Sequence, residues 1–154
     1  MPKTSAGLIL YRLQSGKLEV LLAHPGGPFW SKKDEGAWFI PKGELDVDEE
    51  LLAGAKREFE EETGLKPEGE FLELGSVKQK SGKTIFAWAF EGDCDSSSLK
   101  SNTFTIEWPP KSGRQREFPE IDQASFFTVA QAKVKMHPVE FPLVLRLQEL
   151  LRNA

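Results

Sequence analysis

Between Gly43 and Leu65 the chain reads GELDVDEELLAGAKREFEEETGL, a run that commits it to a helix with one apolar side and one acidic rim. Leu51, Leu52, Ala55 and Phe59 recur at helical spacing and call for burial against a sheet, with the helix expected from about Asp48 to Thr63. Gly64 then stands where a left-handed C-cap is needed. Glu58, Glu61 and Glu62 fall within one turn, on an arc about 100° wide. Like charges at these spacings repel by roughly 0.2–0.5 kcal/mol per pair, so the stack needs full solvation or a cation. Solvation is the ordinary fate of an acidic run. The alternative is a hard divalent metal, Mg²⁺ or Mn²⁺, held by carboxylates while phosphate oxygens and water complete its shell. That alternative implies a phosphorylated substrate. Arg57 lies four residues before Glu61 and can hold the acidic rotamers with its planar fork.

The neighbouring residues decide between the two readings. This segment resembles the signature of the Nudix hydrolase family, G-x5-E-x7-R-E-U-x-E-E-x-G-U with U bulky and apolar. Gly43, Glu49, Arg57, Glu58, Phe59, Glu61, Glu62, Gly64 and Leu65 fill every specified place. The flanking GAWFIPKGE run and the order of strands and helices extend the likeness over roughly residues 4–152. The resemblance implies an α/β fold, an α/β/α sandwich with a mixed sheet, and hydrolysis of a pyrophosphate bond in a nucleoside diphosphate linked to another group. It also implies that Glu58, Glu61, Glu62 and the carbonyl of Lys42 ligate Mg²⁺ or Mn²⁺, that Glu49 orients Arg57, and that Arg57 belongs to the catalytic set. The base that activates water is a box glutamate in some members and a downstream loop glutamate in others. Of Glu117 and Glu120, the latter is the first choice here.

Substrate identity is less sharply written. Trp30, Trp38 and Trp88 are candidates for stacking on a base or ribose, while Lys32, Lys33, Lys42, Lys80, Lys83, Arg114 and Arg116 are candidates for holding phosphates. The SAG start and the WFIPKGE run are similar to diadenosine polyphosphate and diphosphoinositol polyphosphate hydrolases. The Tyr that those adenosine-dinucleotide enzymes often carry past the box is replaced by the Ser81–Lys83 neighbourhood, and the Pro frequent in ADP-ribose pyrophosphatases is missing. A nucleoside triphosphate or dinucleoside polyphosphate is the preferred small-molecule substrate. The alternatives are ADP-ribose, a diphosphoinositol polyphosphate, or a nucleotide-sensing module without hydrolysis, which would commonly lose box glutamates.

Length and charge bound the rest. A chain of 154 residues is expected to be one domain over 1–154, able to bury about 68–70% of its unfolded surface without disulfides. Cys94 is alone, which suits a reducing, cytoplasmic setting. No signal-peptide core or membrane-length apolar run is present in the sequence. A net charge of −4 argues against long nucleic acids as partners.

Breakers and alternation set the order of elements. Ala6–Leu13 and Leu18–His24 read as a hairpin, His24–Gly36 as a surface loop, and Trp38–Ile40 as a short strand. Glu70–Lys80 and Lys83–Glu91 form a second hairpin, Thr103–Trp108 a strand, and Pro109–Pro119 a mobile basic loop. Ala124–Phe127 is a strand before a helix capped by Thr128. Pro138–Arg152 closes the chain with a stripe of Val139, Leu143, Leu147 and Leu150 for core packing. His24 and His137, each beside Pro, are expected to be structural.

Overall fold

Strand β1 (Thr4–Gln14) is the spine of the molecule, and the alternation of its side chains builds both cores. The computed structural model describes residues 3–152, so residues 1, 2, 153 and 154 of the expected domain lie outside the described residues. On one face of β1, Ala6, Leu8 and Leu10 pack with Ala55, Phe59 and Phe90 beneath helix α1 (Leu51–Thr63). On the other, Ile9 and Tyr11 join Ala132, Leu143, Val144 and Leu147 of α2 (Val129–Lys135) and α3 (Phe141–Arg152). Each fully buried Leu or Phe in these layers contributes about 1.5–3 kcal/mol. The result is the expected α/β/α sandwich.

The sheet is mixed. Strand β5 (Thr84–Glu91) runs parallel to β1, with Leu8 opposite Trp88, while β2 (Lys17–Pro25) and β3 (Lys42–Glu44) run antiparallel along two stretches of it. With β4 (Leu72–Lys78) and β8 (Ile121–Thr128) the order is β4-β5-β1-β2-β8, and β3 lies beside β1. Strands β6 (Thr103–Glu107) and β7 (Gln115–Pro119) form a separate two-stranded ribbon. Thr128 caps α2 in a full capping box with Gln131.

Four expectations are corrected. The box helix starts at Leu51 rather than Asp48, because Asp48 takes φ 62° and Glu49 turns its carboxylate back onto the Asp46 amide. Trp38–Ile40 is not a strand: Phe39 bridges Ala23, Trp38 bridges Met136, and the Ile40 amide goes to the Glu140 side chain, so no ladder forms. The strand lies instead at Lys42–Glu44. Pro109–Pro119 is not one loop, since Gln115–Pro119 pairs with β6 and only the turn between them is irregular. The breakers at both ends hid the alternation of the Gln-Arg-Glu-Phe run. Finally, Leu150 is exposed on α3, where Val144 completes the buried stripe with Leu143 and Leu147.

Candidate active site

The apolar side of α1 is pinned by Ala55 and Phe59, both fully buried, which turns Glu58, Glu61 and Glu62 toward β3. The C-terminal end of the helix is fixed by Gly64, at φ 78°, whose amide donates to the Glu60 carbonyl. Gly43 is required by closeness: a Cβ there would stand 2.0 Å from the Glu58 carboxyl carbon. The Glu58 carboxylate therefore lies on the β3 backbone itself.

Arg57 organises the acidic rim. Its Nε and Nη2 donate to the two oxygens of Glu49 at 2.8 and 2.9 Å, a bidentate pair. Its Nη1 donates to Glu58 at 2.8 Å and reaches Glu61 at 3.2 Å. Hydrogen bonds from Arg57 and the Asp46 amide hold the Glu49 carboxyl down at about 2, and Glu49 in turn raises the Arg57 pKa. The orienting role that the family resemblance gives Glu49 thus has a geometric basis.

Glu62 is different. It is buried and accepts a 3.0 Å hydrogen bond from the Lys42 amide. Burial pushes its carboxyl up to about 8, against the Lys42 charge and with help from Glu58 and Glu120. Glu58 is raised as well, by burial first, with Arg57 opposing. Glu120 sits at the junction of β7 and β8, its amide on the Asn102 carbonyl, and its charge acts on both glutamates. The structure therefore brings Arg57, Glu58, Glu61, Glu62 and Glu120 into one region.

Among the described residues no three acidic, His or Cys side chains converge on one point as they stand. Glu58 and Glu61 are turned onto Arg57 and Glu62 onto a backbone amide. Three carboxyl groups on one helical turn, one of them buried with its charge disfavoured, nonetheless make an oxygen donor set that suits a hard divalent cation.

The other candidates divide. Trp38 is largely buried in the core, its indole N–H donating to Asp34 at 2.8 Å and its ring in edge contacts with His24 and Phe127, so most of its surface is spent on packing. Trp88 is half-buried in the layer beneath α1. The Lys42 ammonium lies 2.7 Å from the buried Glu140 carboxylate, so the side chain serves the fold and the backbone faces the site. Arg114 and Arg116 are exposed on the β6–β7 ribbon. His24 is structural, bonded to Asp122 and the Lys33 carbonyl.

Sequence reasoning missed Glu140, a lone acid before an apolar helix with nothing to mark it. It also missed a cavity of about 300 Å³ that opens beside Glu62 between Pro41, Ser97, Ser101, Asp122 and Gln123. Only the serine cluster after Asp95 hinted at that wall.

A model of the NUDIX domain matches residues 1–147. The chain belongs to the Nudix hydrolase family. Members of this family act on nucleoside diphosphate-linked substrates and generally use divalent metal ions. No curated protein sequence matches the chain. Among solved structures, this Nudix fold is similar to the NUDIX domain of Shewanella oneidensis NrtR complexed with ADP ribose (TM-score 0.68, 16% identity, 98% of this chain and 89% of that one). It is also similar to a C. elegans Ap4A hydrolase (TM-score 0.67, 19% identity, 97% and 99%). A mutT/nudix family protein from Listeria innocua gives TM-score 0.64 at 14% identity, over 99% and 96% of the two chains. At these identities the likeness is one of fold. No helix among the described residues is long and apolar enough to cross a membrane.

Proposed function

We propose that this Nudix hydrolase cleaves a pyrophosphate bond in a nucleoside polyphosphate, either a nucleoside triphosphate or a dinucleoside polyphosphate. The observation that carries the reading is that the buried Glu62 carboxylate is both part of the acidic turn and part of the wall of a cavity. Phosphates at the turn and a nucleoside in the cavity would then belong to one molecule. About 300 Å³ lies at the small end of ligand sites and suits one nucleoside.

Glu58, Glu61 and Glu62 with the Lys42 carbonyl would hold Mg²⁺ or Mn²⁺. Such an ion, when bound, neutralises phosphate charge and lowers the pKa of water. The remaining work falls to the chain. Arg57, clamped by Glu49, positions the Glu58 and Glu61 carboxylates. Glu120, free of side-chain partners among the described residues and within electrostatic reach of the cluster, is the group that accepts the proton of the attacking water. Ser97, Ser101 and Gln123 supply polar contacts for the nucleoside. Cys94 has no part in the reaction, and its solitary state suits cytoplasmic work.

A panel of nucleoside triphosphates, dinucleoside polyphosphates, ADP-ribose and diphosphoinositol polyphosphate, with products identified by mass, tests the proposal. Cleavage confined to the first two classes supports it. Cleavage only of the last two contradicts it.

A further inference from the structure

The β6–β7 ribbon places its aromatic and basic side chains on the same face. Phe104 pairs with Phe118 and Ile106 with Arg116, and beyond the last rung the Trp108 amide donates to the Arg114 carbonyl. Opposed residues of an antiparallel pair project to one side, so Trp108, Arg114 and Arg116 share the face of Phe104 and Phe118. Thr105, Glu107, Gln115 and Glu117 occupy the other.

The Pro25–Gly36 loop packs onto that aromatic face. A Cβ on Gly27 would meet the Phe104 ring at 2.7 Å, and one on Gly26 would meet the Pro119 carbonyl at 1.9 Å. The Gly26 amide donates to the Glu120 carbonyl at 2.8 Å. Phe29 reaches across to Trp108, edge to face at 5.4 Å, yet stays 63% exposed. Loop and ribbon thus form one arm that ends in an open aromatic pair.

Charge complements this pair. Arg12 and Arg57 are held in ion pairs and Arg146 on backbone carbonyls, whereas Arg114 and Arg116 make no ion pair among the described residues. Arg116 lies over the Phe118 ring at 5.4 Å. Of the acids on the ribbon, Glu107 accepts from the Lys111 amide, and both Glu107 and Glu117 lie on the opposite face.

Distance selects the occupant. Arg116 is four residues along β7 from Glu120, or about 13 Å at ~3.3 Å per residue, and Trp108, opposite Arg114, is about 20 Å away. The ribbon leaves the cavity wall between Ser101 and Ile121, so its tip stands clear of a nucleoside held beside Glu62. We propose that the arm formed by Phe29, Trp108, Arg114 and Arg116 binds the second nucleoside and its adjoining phosphate in a dinucleoside polyphosphate. This assignment rests on the functional reading given above. The aromatic pair stacks on the base, as aromatic platforms do for single-stranded bases, and the guanidinium groups take the phosphate.

Steady-state kinetics of the full chain with Mg²⁺, on diadenosine tetraphosphate and on ATP, test the assignment in Phe29→Ala and Arg116→Gln. Phe29 is exposed, so its truncation leaves the core intact. Each substitution is expected to raise the KM for diadenosine tetraphosphate relative to that for ATP about tenfold, with kcat little changed. An unchanged ratio in both variants, with the native chain active on either substrate, overturns the second-nucleoside site alone. Native inactivity on both substrates overturns the functional reading and this site with it. If the variants lose only a 5′-triphosphorylated oligonucleotide, the arm serves nucleic acid and the assignment fails.

Discussion

The Lys42 ammonium and the Glu140 carboxylate meet at 2.7 Å, with Glu140 only 2% exposed. The other Glu140 oxygen accepts from the Ile40 amide at 2.9 Å. One buried acid from the approach to α3 thereby holds both ends of the Ile40–Lys42 segment, and that segment delivers the Lys42 amide to Glu62. The terminal helix layer and the acidic turn are coupled through three residues of backbone.

Glu140→Ala leaves the Lys42 charge largely buried without its partner. Breaking such a pair costs about 3–5 kcal/mol, so the midpoint of urea unfolding should fall markedly. Glu140→Gln keeps an acceptor for the Ile40 amide and should lose less. Equal stability of the alanine variant and the native chain would show that the pair does not anchor this segment.

Gly43→Ala separates activity from stability. The added Cβ overlaps the Glu58 carboxyl group, a flexible end that can swing away at little cost to the fold. It cannot then stay on the β3 backbone. Turnover should fall about a hundredfold while the thermal midpoint moves little, read by paired kinetics and melting. Retained turnover would mean that Glu58 acts from a different position.

The raised Glu62 carboxyl makes metal-free stability depend on pH. Its folded pKa of about 8 lies above the ordinary 4.5, so the native state holds the extra proton between those values. This contribution is fully present below pH 4.5 and is lost as pH rises toward 8. In EDTA, Glu62→Gln should therefore be more stable than the native chain at pH 8, with the difference shrinking at pH 4.5. Parallel melting curves across that window would show that Glu62 is not desolvated in solution.

Much of the acidic turn was legible because helical spacing alone places Glu58, Glu61 and Glu62 together, and Arg57 with Glu49 follows from the same box. The two hairpins were legible for a similar reason, since Gly16 and Gly82 punctuate clear alternation. What escaped was set by contacts distant in sequence. Glu140 acquires meaning only when α3 packs beside Ile40. Trp38 looks like a stacking platform until His24 and Phe127 close over it. The ribbon strand Gln115–Pro119 carries exposed polar residues between breakers, and only its pairing with β6 marks it as regular structure.

Metal dependence tests the central claim most directly. Hydrolysis of a nucleoside polyphosphate should rise with added Mg²⁺ or Mn²⁺, stop in excess EDTA, and fall at least about a hundredfold in folded Glu58→Gln and Glu62→Gln. Undiminished turnover in EDTA, or native rates in either variant, would contradict the account.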